Sequence, residues 1–256
     1  MSLVASPPNI FARILCAVDE NEESLAATVQ AAQLLERGGA MELVAVAETF
    51  RATHAGWLST RLAAEIEREA QEALSRAAAL SPAAATVFAR GHAANVILHA
   101  GRVAGATLVV VGAARPPRAR ERVLGTVADD VVRRAECSVL VARRRPAHTP
   151  THVVCGLDGS PWSVVAAGVA DEIGRRFSAT VECVAGLGGK TIDPDRLDRP
   201  ARLDPRPPVA ALIDAALDAD LLVVGSRGLH GVLSLGSVSA RLAARADCSV
   251  LVVRGV

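Results

Sequence analysis

Three groups of residues have the types and spacing to do chemistry. The first follows the aliphatic run Leu221–Val224: Gly225-Ser226-Arg227-Gly228, a seven-residue spacer from Leu229 to Leu235, then Gly236-Ser237-Val238-Ser239. Glycine lets backbone N–H groups come close to a ligand. Ser237 suits the N-cap of a helix over Val238–Arg245, whose free first amides would attract an anion. The second group is Asp19 and Asp158, each at the end of an aliphatic run. A carboxylate there can accept hydrogen bonds from a ligand's amine or hydroxyl, and an Asx turn or a helix-start anion explains it equally well. The third is Gly112-Ala113-Ala114-Arg115, nine residues from Pro116 to Leu124, then Gly125-Thr126. Its Arg115, Arg118, Arg120 and Arg122 could clamp phosphates. Alternatively Arg115 fills the space, or the arginines are only a solvated loop. None of these loops is a P-loop, because no G-x-x-x-x-G-K-[ST] pattern occurs.

The elements that must position these groups can be read from the apolar pattern. Ile14–Val18 reads as a strand, followed by a helix near Ser24–Arg37 that Gly38-Gly39 stops. Leu43–Val46 is the next strand. Thr60–Leu80 is a long helix with an apolar stripe of Leu62, Ile66, Ala70, Ala73, Leu74 and Ala77. Thr86–Ala89, Ala93–Val103, Leu108–Val111, a helix from Gly125-Thr126 to Arg134, and Val139–Val141 complete a strand–helix alternation. Unbroken aliphatic runs suit parallel strands covered on both faces, so the fold class expected is α/β, a doubly wound parallel sheet. Open sheets of this kind bind ligands at the carboxyl ends of their strands.

The plan then repeats. ILCAVDENEES matches VVCGLDGSPWS, with Asp19 mated to Asp158, and AECSVLVARR matches ADCSVLVVRG, with Cys137 mated to Cys248. The second copy is shorter, and the loss falls between Val184 and Val209, where a proline-rich stretch replaces the long helix. Arg202-Leu203 is read there as the vestige of an edge strand. Two domains are expected, residues 10–145 and 150–254, joined by a basic, proline-punctuated linker.

Gly-x-x-Gly, a spacer and Gly-Ser/Thr before a helix and a final Val-Leu-Val strand resemble the universal stress protein family, carried by Gly225 to Gly228 and Gly236 to Ser239. The resemblance implies two tandem domains of the adenine nucleotide alpha hydrolase-like type, each with strand order 3-2-1-4-5. It also implies a fused version of the family's dimer, in which Val139–Val141 pairs antiparallel with Val250–Val253. By resemblance the aspartates contact the adenosine part of ATP, and Val46 touches adenine through its backbone, with Gly186 as its second-half equivalent. The cofactor-binding set implied is Asp158, Gly225, Gly228, Gly236, Ser237 and Val238 in the second half. In the first half it is Asp19, Val46, Gly112, Gly125 and Thr126.

Bulk properties bound the function. A net charge of +1 gives no pull toward nucleic acid or anionic membranes. Five cysteines without CxxC argue against a disulfide framework and against metal or redox work, and small buried hydrophobes are the role expected of them. No apolar run approaches the roughly 18 residues of a membrane span, and the first nine residues lack signal-peptide character, so a cytoplasmic location is expected. Neither loop shows a dedicated base or a carboxylate pair for Mg²⁺, and no metal site is expected. The reading is therefore a non-enzymatic stress-response regulator that binds ATP, with or without Mg²⁺, and answers to a protein partner still to be named. Tandem chains could also associate as homodimers. The rival is a scaffold with decayed sites, and a hydrolase is conceivable by fold analogy alone.

Overall fold

The computed structural model describes residues 9–52, 59–113, 124–144, 149–189, 197–226 and 237–255. The first half runs β1 (Arg13–Val18), α1 (Glu22–Leu34), β2 (Ala40–Ala47), α2 (Ser59–Leu80), β3 (Ala85–Arg90), α3 (Ala93–Val103), β4 (Leu108–Gly112), α4 (Thr126–Arg134) and β5 (Ser138–Ala142). The second runs β6 (His152–Gly156), α5 (Pro161–Phe177), β7 (Thr180–Gly186), β8 (Arg202–Asp204), α6 (Pro208–Ala215), β9 (Leu221–Ser226), α7 (Ser237–Arg245) and β10 (Ser249–Arg254). All ten strands form one sheet, in the order β3-β2-β1-β4-β5-β10-β9-β6-β7-β8. Read from its outer edge to the seam, each half has the order 3-2-1-4-5. The apolar runs fill two layers. Ala27, Ala31, Leu34, Ala166, Ala170 and Ile173 of α1 and α5 pack on one face. Ile97, Val131, Val132, Leu212 and Leu242 of α3, α4, α6 and α7 pack on the other.

Strands within each half are parallel, and β5 meets β10 antiparallel, with Val141, Leu140 and Val139 opposite Val250, Leu251 and Val252. Repeat mates reinforce this seam reciprocally. Arg143 N–H donates to Ser249 Oγ at 3.0 Å, and Arg254 N–H donates to its mate Ser138 Oγ at 3.1 Å. The Arg143 guanidinium reaches the carbonyl of Ala243 at the end of α7 (2.7 Å), while that of Arg254 reaches Val132 and Ala135 at the end of α4. Arg176 at the end of α5 does the same for α1, donating to Leu34 (2.7 Å) and Gln33 (2.9 Å). Each arginine thus satisfies carbonyls that a helix C-terminus leaves without partners, and in every case the helix belongs to the opposite half. Gln30 of α1 joins the seam, donating to Arg143 O and accepting from Ser249 Oγ, both at 2.7 Å.

Several local expectations are corrected. The apolar stripe of α2 buries Ala73 and Ala77, but Leu62 is exposed. The first helix begins at Glu22, two residues before Ser24. Gly225 is the fifth residue of β9 rather than the first of a loop. In the first half Gly125 holds the N-cap of α4. The edge strand expected at Arg202-Leu203, by contrast, is present as Arg202–Asp204, in register with Val184, Ala185 and Gly186.

Asp204 ties that edge down. It is buried, accepts from Arg206 N (2.9 Å), and pairs with the Arg206 guanidinium at 2.6 Å and with Arg202 at 3.5 Å. These hydrogen bonds and charges hold its carboxyl at about 2, below the ordinary 3.8. A carboxyl lowered on folding stabilises above its unfolded value and loses that contribution as pH falls through the folded one. Asp204→Asn should therefore lower the urea midpoint at pH 7. The gap from wild type should close as pH drops from about 4 to about 2, which urea titrations across that window will test.

Candidate functional site

A cavity of about 340 Å³ opens at the carboxyl ends of β1, β2 and β4, within the roughly 300–1,000 Å³ typical of small-molecule sites. It gathers all five first-half residues singled out by sequence: Asp19, Val46, Gly112, Gly125 and Thr126. Each is placed by an element end. Asp19 follows β1, Val46 lies near the end of β2, Gly112 ends β4, and Gly125 and Thr126 are the cap and first residue of α4. Ile66 and Ala70 of α2 also line it, so part of that helix's apolar stripe walls the cavity while Leu74 and Ala77 pack on the core.

The polar groups are held before any ligand arrives. Asp19 Oδ1 accepts from Asn21 N–H at 3.0 Å and Oδ2 from Asn21 Nδ2 at 2.8 Å. A carboxylate offers about four acceptor positions, so two bonds leave capacity for a ligand. Ser24 Oγ donates to Asp19 O (2.8 Å) and Asn21 O (2.9 Å), fixing the turn into α1. Glu48, which sequence reasoning missed, lines the cavity and accepts from Ala93 N–H at 2.9 Å, capping α3. Its position just past β2 was the available signal. With Glu20 and Glu69, the described walls carry four carboxylates and no arginine or lysine. Such walls suit a neutral, donor-rich group such as a nucleoside base and sugar. The start of α4, where backbone amides are free, is the end that suits an anion. No group of three His, Cys, Asp or Glu side chains able to hold a metal occurs among the described residues.

The second half is arranged differently. Asp158 is exposed, and its Oδ1 accepts from Ser160 N–H at 3.0 Å, an Asx turn leading into the Ser160 cap of α5. Gly228 and Gly236 lie outside the described residues, and so do Arg115, Arg118, Arg120 and Arg122 of the first-half loop. Ser237 is placed as the first residue of α7, and Val238 beside it packs on the sheet layer. Gly225 is in contact with the first turn of α5: a Cβ there would stand 2.4 Å from Trp162 O. Gly112 makes the same approach to α1, 2.9 Å from Ser24 N. Both glycines therefore have a packing reason to be glycine, whatever they do for a ligand.

At the pocket floor the halves diverge. By strand register Ala17 and Val46 correspond to Gly156 and Gly186. A Cβ on Gly186 would lie 2.5 Å from Pro208 Cα, and one on Gly156 would lie 2.9 Å from a Leu212 methyl. Helix α6 thus occupies the space over these two glycines, whereas the matching α3 leaves Ala17 and Val46 lining a cavity.

Comparisons with known proteins agree with this architecture. A universal stress protein of Mycobacterium tuberculosis is 31% identical over 185 residues, covering 58% of this chain and 62% of the relative's own length. The chain thus spans under two thirds of the curated relatives it matches. Among solved structures, a universal stress protein from Archaeoglobus fulgidus superposes with a TM-score of 0.72 at 16% identity, covering 95% of this chain and 98% of its own. A putative universal stress protein from Pseudomonas aeruginosa gives 0.67 at 16% identity, covering 95% and 93%. The model of the universal stress protein family matches residues 11–143 and 201–254, most of the chain. The first segment takes in the cavity's strand ends and the start of α4, the second takes in β9 and α7, and the chain belongs to the universal stress protein family.

Proposed function

We propose that this protein is a stress-response regulator that binds one adenine nucleotide, ATP in the first instance, in its first half. The observation that carries the reading is the cavity at the ends of β1, β2 and β4, which brings Asp19, Val46, Gly112, Gly125 and Thr126 together. The base and ribose fit the carboxylate-lined floor, where Asp19 accepts from a hydroxyl or amine, and the phosphates lie toward the start of α4. Any Mg²⁺ arrives on the nucleotide's own phosphates. The polar groups at the floor are committed to turns and caps, which suits holding a ligand rather than turning it over. The protein acts by nucleotide-dependent partner binding, not as an enzyme. The second half serves as a scaffold, a reading favoured by Pro208 and Leu212 seated over Gly186 and Gly156.

Titration calorimetry of the full chain with ATP tests this. One nucleotide should bind per chain. Losing a hydrogen bond to a charged group costs about 1.5–3 kcal/mol, so Asp19→Ala should weaken binding roughly 10- to 100-fold. Val46→Trp should block it, while Asp158→Ala should leave affinity unchanged. Binding that persists in both Asp19→Ala and Val46→Trp and is lost in Asp158→Ala would overturn the assignment.

A further inference from the structure

Cys155 on β6 and Cys183 on β7 are direct partners in the parallel register, and both belong to the layer under α5. Neighbouring strands lie about 4.8 Å apart, inside the roughly 4.4–6.8 Å Cα separation that a disulfide spans. Both cysteines are reduced. The matching first-half pair is Cys16 and Leu43, so the second half alone carries two thiols side by side. The two thiols differ in exposure. Leu43 is fully buried, whereas Cys183, in the half that lacks a counterpart of α2 among the described residues, is half-buried. Cys155 stays buried beneath it.

The hydrogen bond between the two sulfurs and their unequal burial distinguish them, while the charges nearby act on both. Arg199 pairs with Asp171 at 2.6 Å and with Asp198 at 3.1 Å. The Cys183 thiol lies below its ordinary range, chiefly because the Cys155 thiol donates to it, with further help from the Arg199 charge; burial, Asp171 and Asp198 oppose this. Cys155, holding the shared proton in a dry environment, is raised. Burial pushes Cys16 and Cys248 up to about 12 and raises Cys137 as well. Thiolates that are partly exposed and near positive charge are the reactive ones.

We propose that Cys183 and Cys155 form a redox site for small hydroperoxides, with Cys183 as the attacking sulfur and Cys155 as the resolving one. The Cys183 thiolate attacks one peroxide oxygen; an S–O bond forms as the O–O bond breaks, and the leaving oxygen takes up a proton to depart as water or alcohol. Cys155 then attacks the sulfenic sulfur. The S–S bond forms, the S–O bond breaks, and hydroxide leaves with the Cys155 proton as water. Two thiols have lost two electrons, and the peroxide has gained them. The disulfide staples β6 to β7, and a dithiol reverses it by exchange.

Brief hydrogen peroxide treatment of the reduced full chain, a maleimide quench and peptide mass analysis test the proposal. The expected product is a Cys155–Cys183 linked peptide lacking two hydrogens, formed about tenfold or more faster than Cys16, Cys137 or Cys248 is consumed, and reversed by dithiothreitol. In Cys155→Ser, Cys183 should stop at a sulfenic acid that dimedone captures, and in Cys183→Ser, Cys155 should remain unmodified. The wild-type measurement decides the matter even if a variant misfolds. Cys183 reacting no faster than Cys137, or accumulating as an oxidised acid with no link to Cys155, sinks the proposal.

Discussion

Arg254→Ala should lower the free energy of unfolding by about 3 kcal/mol. The guanidinium is buried and donates to Val132 O and Ala135 O, the last carbonyls of α4. Hydrogen bonds from a charged donor contribute roughly 1.5–3 kcal/mol each, so the two together outweigh most of the cost of burying the charge. Truncation also leaves two carbonyls in a dry place with no donor, and a void where the side chain ran. Relief of the desolvated charge works in the opposite direction, which is why the expected loss is below the sum of its parts. Denaturant unfolding of wild type, Arg254→Ala and Arg254→Lys will separate these terms. Lysine should recover part of the loss, because it keeps the charge but only one point of donation. A change under about 1 kcal/mol for the alanine variant would mean that the carbonyl bonds merely offset the arginine's own burial.

Gly186→Val should cost about as much, for a steric reason. The added Cβ would stand 2.5 Å from Pro208 Cα and 2.9 Å from Pro208 N. These are backbone atoms at the start of α6, so no side-chain rotation relieves the overlap, and the helix itself must move. Overpacking of this kind costs typically 1–3 kcal/mol and sometimes more, and for a chain of this size about 3 kcal/mol corresponds to a drop of roughly 6–12 °C in Tm. Valine is the residue that stands at the matching position, Val46, where it is half-buried beside the cavity. The same side chain is therefore accommodated in one half and excluded from the other. Thermal melts of Gly186→Val beside Val46→Gly will show it: the first should fall steeply and the second only slightly. A Gly186→Val protein melting like wild type would mean that α6 is not seated against β7 as described.

The fold was largely legible because its signals are local and repeated. Aliphatic runs without alternation marked the central strands, and the paired motifs around Asp19 and Asp158 gave the duplication, while the seam followed from the family resemblance. Arg202-Leu203 could be suspected as an edge strand because every other element of the second half had a mate. The site was less legible. Gly156 and Gly186 look in sequence like unremarkable small residues; only the approach of Pro208 and Leu212 reveals why they are glycines. Glu48 gave no motif, since its bond to Ala93 N–H depends on where α3 starts. Arg143 and Arg254 were aligned as repeat mates, yet their targets lie across the seam, at a distance that no spacing rule reports. Cys155 and Cys183, read as buried packing, became neighbours only once β6 and β7 were registered.

The antiparallel junction of β5 with β10 has a bearing on valency. A lone domain of this type keeps a hydrogen-bonding strand at its β5 edge, an open invitation to a second copy. Here that invitation is answered within the chain, and among the described residues the remaining unpaired edges are β3 and the three-residue β8, at opposite extremes of the sheet. A strand as short as β8 is a poor template for recruitment. The edge through which a second copy could add a strand at β5 is thus filled by β10 of the same chain.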